Sequence, residues 1–245
     1  NRMTTSEIDP PVGKHDGVRE IDEWVSGYVE RHPRAAITTV GNQAVMAVRT
    51  IQTLFIDLLT GKFQWQEFIR QAAFMAGTSV LPTIFVALPI GVTLSVQFAL
   101  LAGQVGATSL AGAASGLAVI RQAASLVAAI LMASAVGSAI TADLGSRKIR
   151  DEIDALEVLG ISVIQRLVVP RFVAAILIAV ALTGLVAFTG FLASYLFNVY
   201  FQHGAPGSFV ATFASFTTTA DMQLAMIKAV VYGAIVAIVA CEKGL

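Results

Sequence analysis

Apolar residues gather into four long runs along the chain, at about 76–101, 118–142, 167–201 and 222–241. A helix needs roughly 20 apolar residues to cross a hydrocarbon core of about 30 Å, so each run is long enough to be a membrane span. The first run contains Pro82 and Pro89, which are expected to interrupt it. The third contains Gly184 and Gly190, which permit a tilt, bend or break. Upstream of these runs the pattern changes. Over 35–59 the apolar residues Ile37, Val40, Ala44, Val48, Ile51, Phe55 and Leu58 recur alternately three and four apart, and Asn42, Gln43, Arg49, Thr53 and Asp57 lie opposite. That stretch is too polar to span, and its period predicts an amphipathic helix lying in the membrane interface. A helix packed on a soluble domain would show the same period. Gly61 ends it, and Phe63, Trp65 and Phe68 follow as an aromatic anchor at headgroup level, with Arg70 marking the water side.

Between the second and third runs lies a charged island. Residues 143–171 hold ten of the 32 Lys, Arg, Asp and Glu residues of the chain. Within it Ile149, Ile153, Leu156 and Gly160 fall three or four apart, while Arg150, Asp151, Asp154 and Glu157 take the other faces. A short amphipathic helix on the membrane surface is predicted there, with its acidic groups open to a soluble partner. The segments 102–117 and 202–220, expected as loops, carry no Lys or Arg, whereas the segment before the first span carries eight and the island five. The positive-inside rule therefore puts the N terminus and the island in the cytoplasm.

These patterns predict an all-α polytopic membrane protein: an N-terminal amphipathic interfacial helix, four transmembrane helices, and a cytoplasmic helix between the second and third. Residues 1–17, rich in Pro and Gly, read as a disordered cytoplasmic tail. Residues 18–74 read as amphipathic helices, the first with Ile21, Trp24, Val25 and Tyr28 on one face, and 75–245 as the membrane domain. Composition agrees, with 56% hydrophobic and 13% charged residues and a mean hydropathy of +0.75. A net charge of zero without a basic run argues against a nucleic-acid partner. The single cysteine, Cys241, excludes an intrachain disulfide and reads as a buried thiol.

No active site is legible. His15, His32 and His203 are scattered without a second ligand at metal spacing, and there is no Gly-rich phosphate loop ending in Gly-Lys-Ser/Thr. No cofactor is expected in this chain, and ATP and Mg belong to a separate ATPase subunit if transport is powered. The second span is rich in small residues, among them Ala133, Gly137 and Ser138, which allow close helix packing within a bundle or a dimer. Arg121 and Gln122 open that span at its outer end. Lys228 lies about two turns into the fourth, with Asp221 seven residues earlier on the same face. Charge at such depth costs about 2.5 to 3.5 kcal/mol even on lenient scales. The two cations therefore snorkel, pair with Asp221, or face an outer cavity where they would hold an anionic headgroup.

Three blocks carry a family resemblance: VGSAITADLG at 136–145, IRDEIDALEVLG at 149–160 and LVVPR at 167–171. They resemble the signature of the MlaE/YrbE permeases, the membrane subunits of ABC transporters that work with MCE proteins. FQWQEFI at 63–69 and CEKGL at 241–245 are similar to the actinobacterial YrbE branch of Mce lipid transporters. The resemblance implies two paired permease subunits, here with a second, non-identical YrbE-type chain, two cytoplasmic ABC ATPases, MCE proteins on the outer face, and residence in the cytoplasmic (inner) membrane. It implies five spans, of which this sequence carries four. It also implies a coupling helix over about 147–160, comprising Arg147, Lys148, Arg150, Asp151, Glu152, Asp154, Ala155, Leu156, Glu157 and Gly160. Arg121, Gln122 and Lys228 fall where related permeases carry polar groups near the lipid pocket. Where the family reads Arg-Glu-Leu-Gly-Pro or Thr-Gln-Leu-Gly-Pro, this chain has Arg121-Gln-Ala-Ala-Ser125. The implied activity is ATP-driven movement of a fatty acid, mycolic acid or sterol, inward, through a cavity at the permease dimer interface. The alternatives are an MlaE-like homodimer trafficking phospholipid, and a membrane scaffold or secondary transporter without an ATPase.

Overall fold

A computed structural model describes residues 38–245, except 62, 105, 107–110, 202 and 204, with the side chains of 111–113 also left aside. The expected tail at 1–17 and the short helix at 18–31 lie outside the described residues. Residues 46–245 form one compact unit. Among the described residues the structure is helical throughout, with no strand, as the apolar runs require.

Helix α1 occupies 38–60. The long helix α2 (Trp65–Gln104) follows. Helix α3 is built from the successive segments Ala111–Ala118, Val119–Ala123, Ala124–Leu131, Met132–Gly137 and Ser138–Ile149, the second and fourth being wide π turns. A short α4 (Glu152–Val158) leads to α5, which opens with the π turn Ile164–Val168 and continues over Val169–Phe201. Last come α6 (Pro206–Phe216) and α7 (Thr219–Gly244). Among the described residues four helices are long and apolar enough to cross a membrane: Trp65–Gln104, Ala114–Ile149, Ile164–Phe201 and Thr219–Gly244. At about 1.5 Å per residue the longest run to about 60 Å, so their ends project beyond the hydrocarbon core.

Two expectations are corrected. Pro82 and Pro89 do not interrupt the first span, because α2 continues through both. Each proline removes one backbone hydrogen bond, and threonine hydroxyls supplement the ladder nearby, Thr83 to Ser79 O at 2.6 Å and Thr93 to Pro89 O at 2.8 Å. Residues 202–220 are not a plain loop. They contain α6, whose Pro206 sits in the first turn. Phe209 of α6 is buried, and the Phe213 ring packs against Phe191 in a tilted arrangement with centroids 4.5 Å apart. The Phe213 ring also covers Gly116, where a Cβ would come within 2.1 Å of it.

Packing follows stripes of small residues. In α2, Gln71, Met75, Ser79, Thr83, Ala87, Gly91 and Ser95 are buried, every fourth residue. In α7 the same spacing buries Asp221, Ala225, Ala229, Gly233, Ala237 and Cys241. A ridge at i+4 lets one helix settle into its neighbour's groove. At the α2–α5 crossing a Cβ on Gly91 would lie 2.7 Å from Gly190 O, and Ser194 Oγ donates to Gly91 O at 3.0 Å. Gly190 therefore serves close approach rather than a break in α5. Gly233 of α7 meets Ala179 of α5 in the same way. Of the small residues singled out in the second span, Gly137 is buried, whereas Ala133 and Ser138 are exposed on this chain.

Within the compact unit, Met46 and Leu54 of α1 pack on the core. The stripe Val48, Ile51, Phe55 and Leu58 stays uncovered, with exposures of 42 to 65%. Asp57 is turned inward and accepts a hydrogen bond from Gln165 Nε2 at 2.5 Å.

Candidate functional site

Polar chemistry collects at the two ends of the bundle. At the end carrying the island, α3 stops at Ile149 because the chain turns sharply. Arg150 leaves helical geometry, and Asp151 adopts a left-handed conformation with φ of 57°. The predicted helix over 147–160 is thus divided: Arg147 and Lys148 end α3, and α4 begins at Glu152. This break also corrects the predicted stripe, because Ile149 loses register with Ile153 and is 83% exposed while Ile153 is buried.

The far end of α4 closes on Gly160, at φ of 70°. Gly160 N–H donates to Glu157 O at 2.9 Å and Ile161 N–H to Leu156 O at 2.9 Å. This double bond pattern is the Schellman stop, which asks for a residue without a Cβ at the left-handed position. The helix is therefore short and defined at both ends. Ile153 and Leu156 hold it to the core, and Asp154 and Glu157 face outward. Val158 and Leu159 are 88% and 72% exposed, so they leave uncovered apolar surface beside the acidic groups at the C-terminal end of α4.

An ion-pair chain ties α4 to the bundle. Arg171 of α5 is fully buried; its Nη1 donates to Leu167 O at 3.0 Å and its Nη2 to Asp143 Oδ2 of α3. Arg147 Nε lies 3.4 Å from the same Asp143 oxygen, and Arg147 Nη1 lies 3.8 Å from Glu152 Oε2. Arg150 Nε pairs with Glu152 at 3.1 Å. A buried guanidinium needs such a counter-ion, since an uncompensated one is costly. Sequence reasoning did not place Asp143 and Arg171 in a site. The available signal was an arginine set among the apolar residues of Val168–Phe172, where an unpaired charge is unfavourable.

At the opposite end, α7 begins with a capping box. Thr218 and Asp221 bond each other's backbone N–H, and Asp221 Oδ2 also accepts from the Thr218 hydroxyl at 2.9 Å. The other carboxylate oxygen accepts from Arg121 Nε at 2.6 Å. Asp221 thus pairs with Arg121 and not with Lys228. Lys228 Nζ instead donates to the backbone carbonyl of Arg121 at 3.2 Å. That carbonyl lies in the π turn Val119–Ala123, where the helical ladder is widened, with Ala124 N–H reaching back to Val119 O. The structure brings Arg121, Asp221 and Lys228 together, with Gln122 exposed beside them. The Arg121 side chain remains 55% exposed, so its outer nitrogens are open to an anion. No group of three or more His, Cys, Asp or Glu suited to a metal ion occurs among the described residues.

Comparison with known proteins bears on residues 68–245, which match the profile of the family described as Permease MlaE. A probable ABC transporter permease protein of Synechocystis sp. is 28% identical over 216 residues, covering 88% of this chain and 82% of that protein. The chloroplastic protein TRIGALACTOSYLDIACYLGLYCEROL 1 of Arabidopsis thaliana is 28% identical over 191 residues, 78% of this chain and 54% of its own length. A probable ABC transporter permease protein of Rickettsia typhi is 27% identical over 128 residues, 52% of this chain and 49% of its own.

Proposed function

The chain belongs to the MlaE permease family, and on that premise we propose that it is the membrane subunit of an ATP-driven lipid transporter of the Mce kind. Its cargo is a hydrophobic lipid, a fatty acid, mycolic acid or sterol, moved inward through a cavity between two permease subunits. The second subunit is a non-identical YrbE-type chain, the motor is a pair of cytoplasmic ABC ATPases, and MCE proteins stand on the outer face of the inner membrane. The relatives named as ABC transporter permeases support a partner ATPase.

The observation that carries this reading is α4. A stiff, short helix with two defined ends presents Val158 and Leu159 next to Asp154 and Glu157, and the chain Glu152–Arg147–Asp143–Arg171 runs from it into the bundle. A motor subunit that docks on α4 would find apolar area for affinity and acidic groups for register. Motion of α4 would reach α5 through the buried Arg171. At the other end, Arg121 and Lys228 would hold the acidic headgroup of a lipid whose chains lie on the apolar walls.

Neutralising the acidic face, Asp151→Asn with Glu152→Gln and Asp154→Asn, tests this. The assembled complex should persist while ATP hydrolysis no longer drives lipid uptake. Unchanged hydrolysis and uptake would remove α4 from the coupling role.

A second reading keeps the permease and changes the cargo. The Arabidopsis relative carries the name of a galactosylated diacylglycerol, which favours a glycerolipid as cargo; on this reading the permease is an MlaE-like homodimer trafficking phospholipid. Lipid extracted from the purified complex separates the two: a fatty acid, mycolic acid or sterol supports the first reading, a diacyl lipid the second.

A further inference from the structure

Two cavities meet at the island end of the bundle, and neither belongs to the sites above. One, of about 450 Å³, is polar and lined by Gln64, Trp65, Gln66, Glu67, Arg70 and Arg166. The other, of about 250 Å³, is apolar and lined by Leu54, Leu58, Phe63, Trp65, Phe68 and Val173. Trp65 stands in both walls. We propose that the pair forms one amphipathic site for an anionic phospholipid of the adjoining leaflet, its phosphate between Arg70 and Arg166 and an acyl chain in the apolar cavity against Trp65.

The charge is suited to an anion. Neither Arg70 nor Arg166 has a carboxylate partner among the ion pairs of the described residues. The one acidic side chain in the wall, Glu67, is turned back along its own helix and accepts from Gln71 Nε2 at 2.7 Å. The lining therefore carries two guanidiniums against one engaged carboxylate, with the amides of Gln64 and Gln66 as further donors. Arginine favours phosphate because its planar fork can place two donors on one anion.

The apolar half is built rather than incidental. Phe63, Trp65 and Phe68 hold one another at ring separations of 5.0 to 6.0 Å. Leu54 and Leu58 flank Asp57 on α1, and the bond from Gln165 to Asp57 fastens that turn of α1 to the residue next to Arg166. The π turn Ile164–Val168 starts α5 with Arg166 in it. One side chain thus spans the boundary between polar and apolar walls, and an indole is the group that partitions there in a bilayer. The boundary lies where two of the candidate spans begin, Trp65–Gln104 and Ile164–Phe201, the level at which a lipid headgroup meets its chains. The site lies at the opposite end from Arg121 and Lys228, and it requires neither the cargo nor the motor proposed above.

The test uses the full chain with Trp24→Phe, which leaves Trp65 as the one tryptophan, reconstituted in nanodiscs. Brominated phosphatidylglycerol and brominated phosphatidylcholine, which quench indole fluorescence on contact, are compared at equal mole fraction. The anionic lipid should be enriched around Trp65 by about fivefold or more, given the attraction expected per arginine near a membrane surface. Arg70→Gln with Arg166→Gln should remove that excess and leave quenching at the phosphatidylcholine level. Arg49→Gln, an exposed arginine outside both linings, should retain it. Equal quenching by the two lipids in the parent protein overturns the site. So does an excess that survives the double substitution, or one that Arg49→Gln abolishes equally.

Discussion

Single residues decide how charge and close packing survive in this apolar molecule. Asp143 and Arg171 are the sharpest case, because Arg171 is fully buried and takes its charge partner from another helix. Removing one partner of a buried pair costs about 3 to 5 kcal/mol, whereas replacing both by apolar residues is often near neutral. Asp143→Ala should therefore lower the thermal unfolding midpoint of the solubilised protein markedly, and Asp143→Ala with Arg171→Met should recover much of it. Additive losses would show that the two charges do not serve each other. Glycines give a second contrast. Gly91→Val would push a side chain onto the backbone of Gly190, while Gly77 has nothing within 4 Å of where its Cβ would be. Overpacking costs about 1 to 3 kcal/mol, so Gly91→Val should destabilise clearly more than Gly77→Val, read by the same unfolding measurement.

At the scale of elements, α4 combines a structural face and an open face that substitutions can separate. Ile153→Asp would bury a charge and should cost about 3 kcal/mol or more. Val158→Asp and Leu159→Asp should leave stability within about 0.5 kcal/mol. On the proposed function they should nevertheless prevent an ATPase from copurifying, which a pull-down from membranes would read. Gly160→Val forces a β-branched residue into a left-handed turn, at a cost of about 1 to 2 kcal/mol. It should loosen the C-terminal end of α4 before it unfolds the bundle, seen as faster amide exchange over 156–161.

The four spans were legible in the sequence because long apolar runs have few other uses, although the first helix begins at Trp65, eleven residues before the predicted start, and the second runs on to Ile149, seven past the predicted end. The break inside the island was not legible as a break. Asp151 in a left-handed conformation carries no periodic signal, so Ile149, Ile153 and Leu156 read as one stripe although two helices share them. Helix α6 was missed because Phe209, Phe213 and Phe216 lie in a stretch judged by its lack of Lys and Arg. The fourfold stripes of α2 and α7 were present as small and weakly polar residues within apolar runs, where hydropathy hides them.

On the scale of the whole molecule, the pairings that join the ends of the chain to its middle follow from the fold alone. Arg121 and Asp221 are 100 residues apart and Gln165 and Asp57 are 108, so no local spacing marks them. Lys228 and Asp221 sit on one face of α7, yet the approach of α3 gives Asp221 to Arg121 and leaves Lys228 a carbonyl. The same distribution assigns the ends different work in the proposed transporter: a docking face around α4 at one end and an anion-facing cluster at the other.

The central claim is that this permease works with a motor seated on α4, and the most direct measurement is subunit composition. The intact complex would be extracted from its membrane in mild detergent, and its subunits identified by mass spectrometry. An ABC ATPase and a second permease chain should accompany the parent protein, and the ATPase should be absent from the Val158→Asp, Leu159→Asp variant while the permease pair remains. Recovery of the chain with no ATPase, or an ATPase retained in full by that variant, would contradict the account.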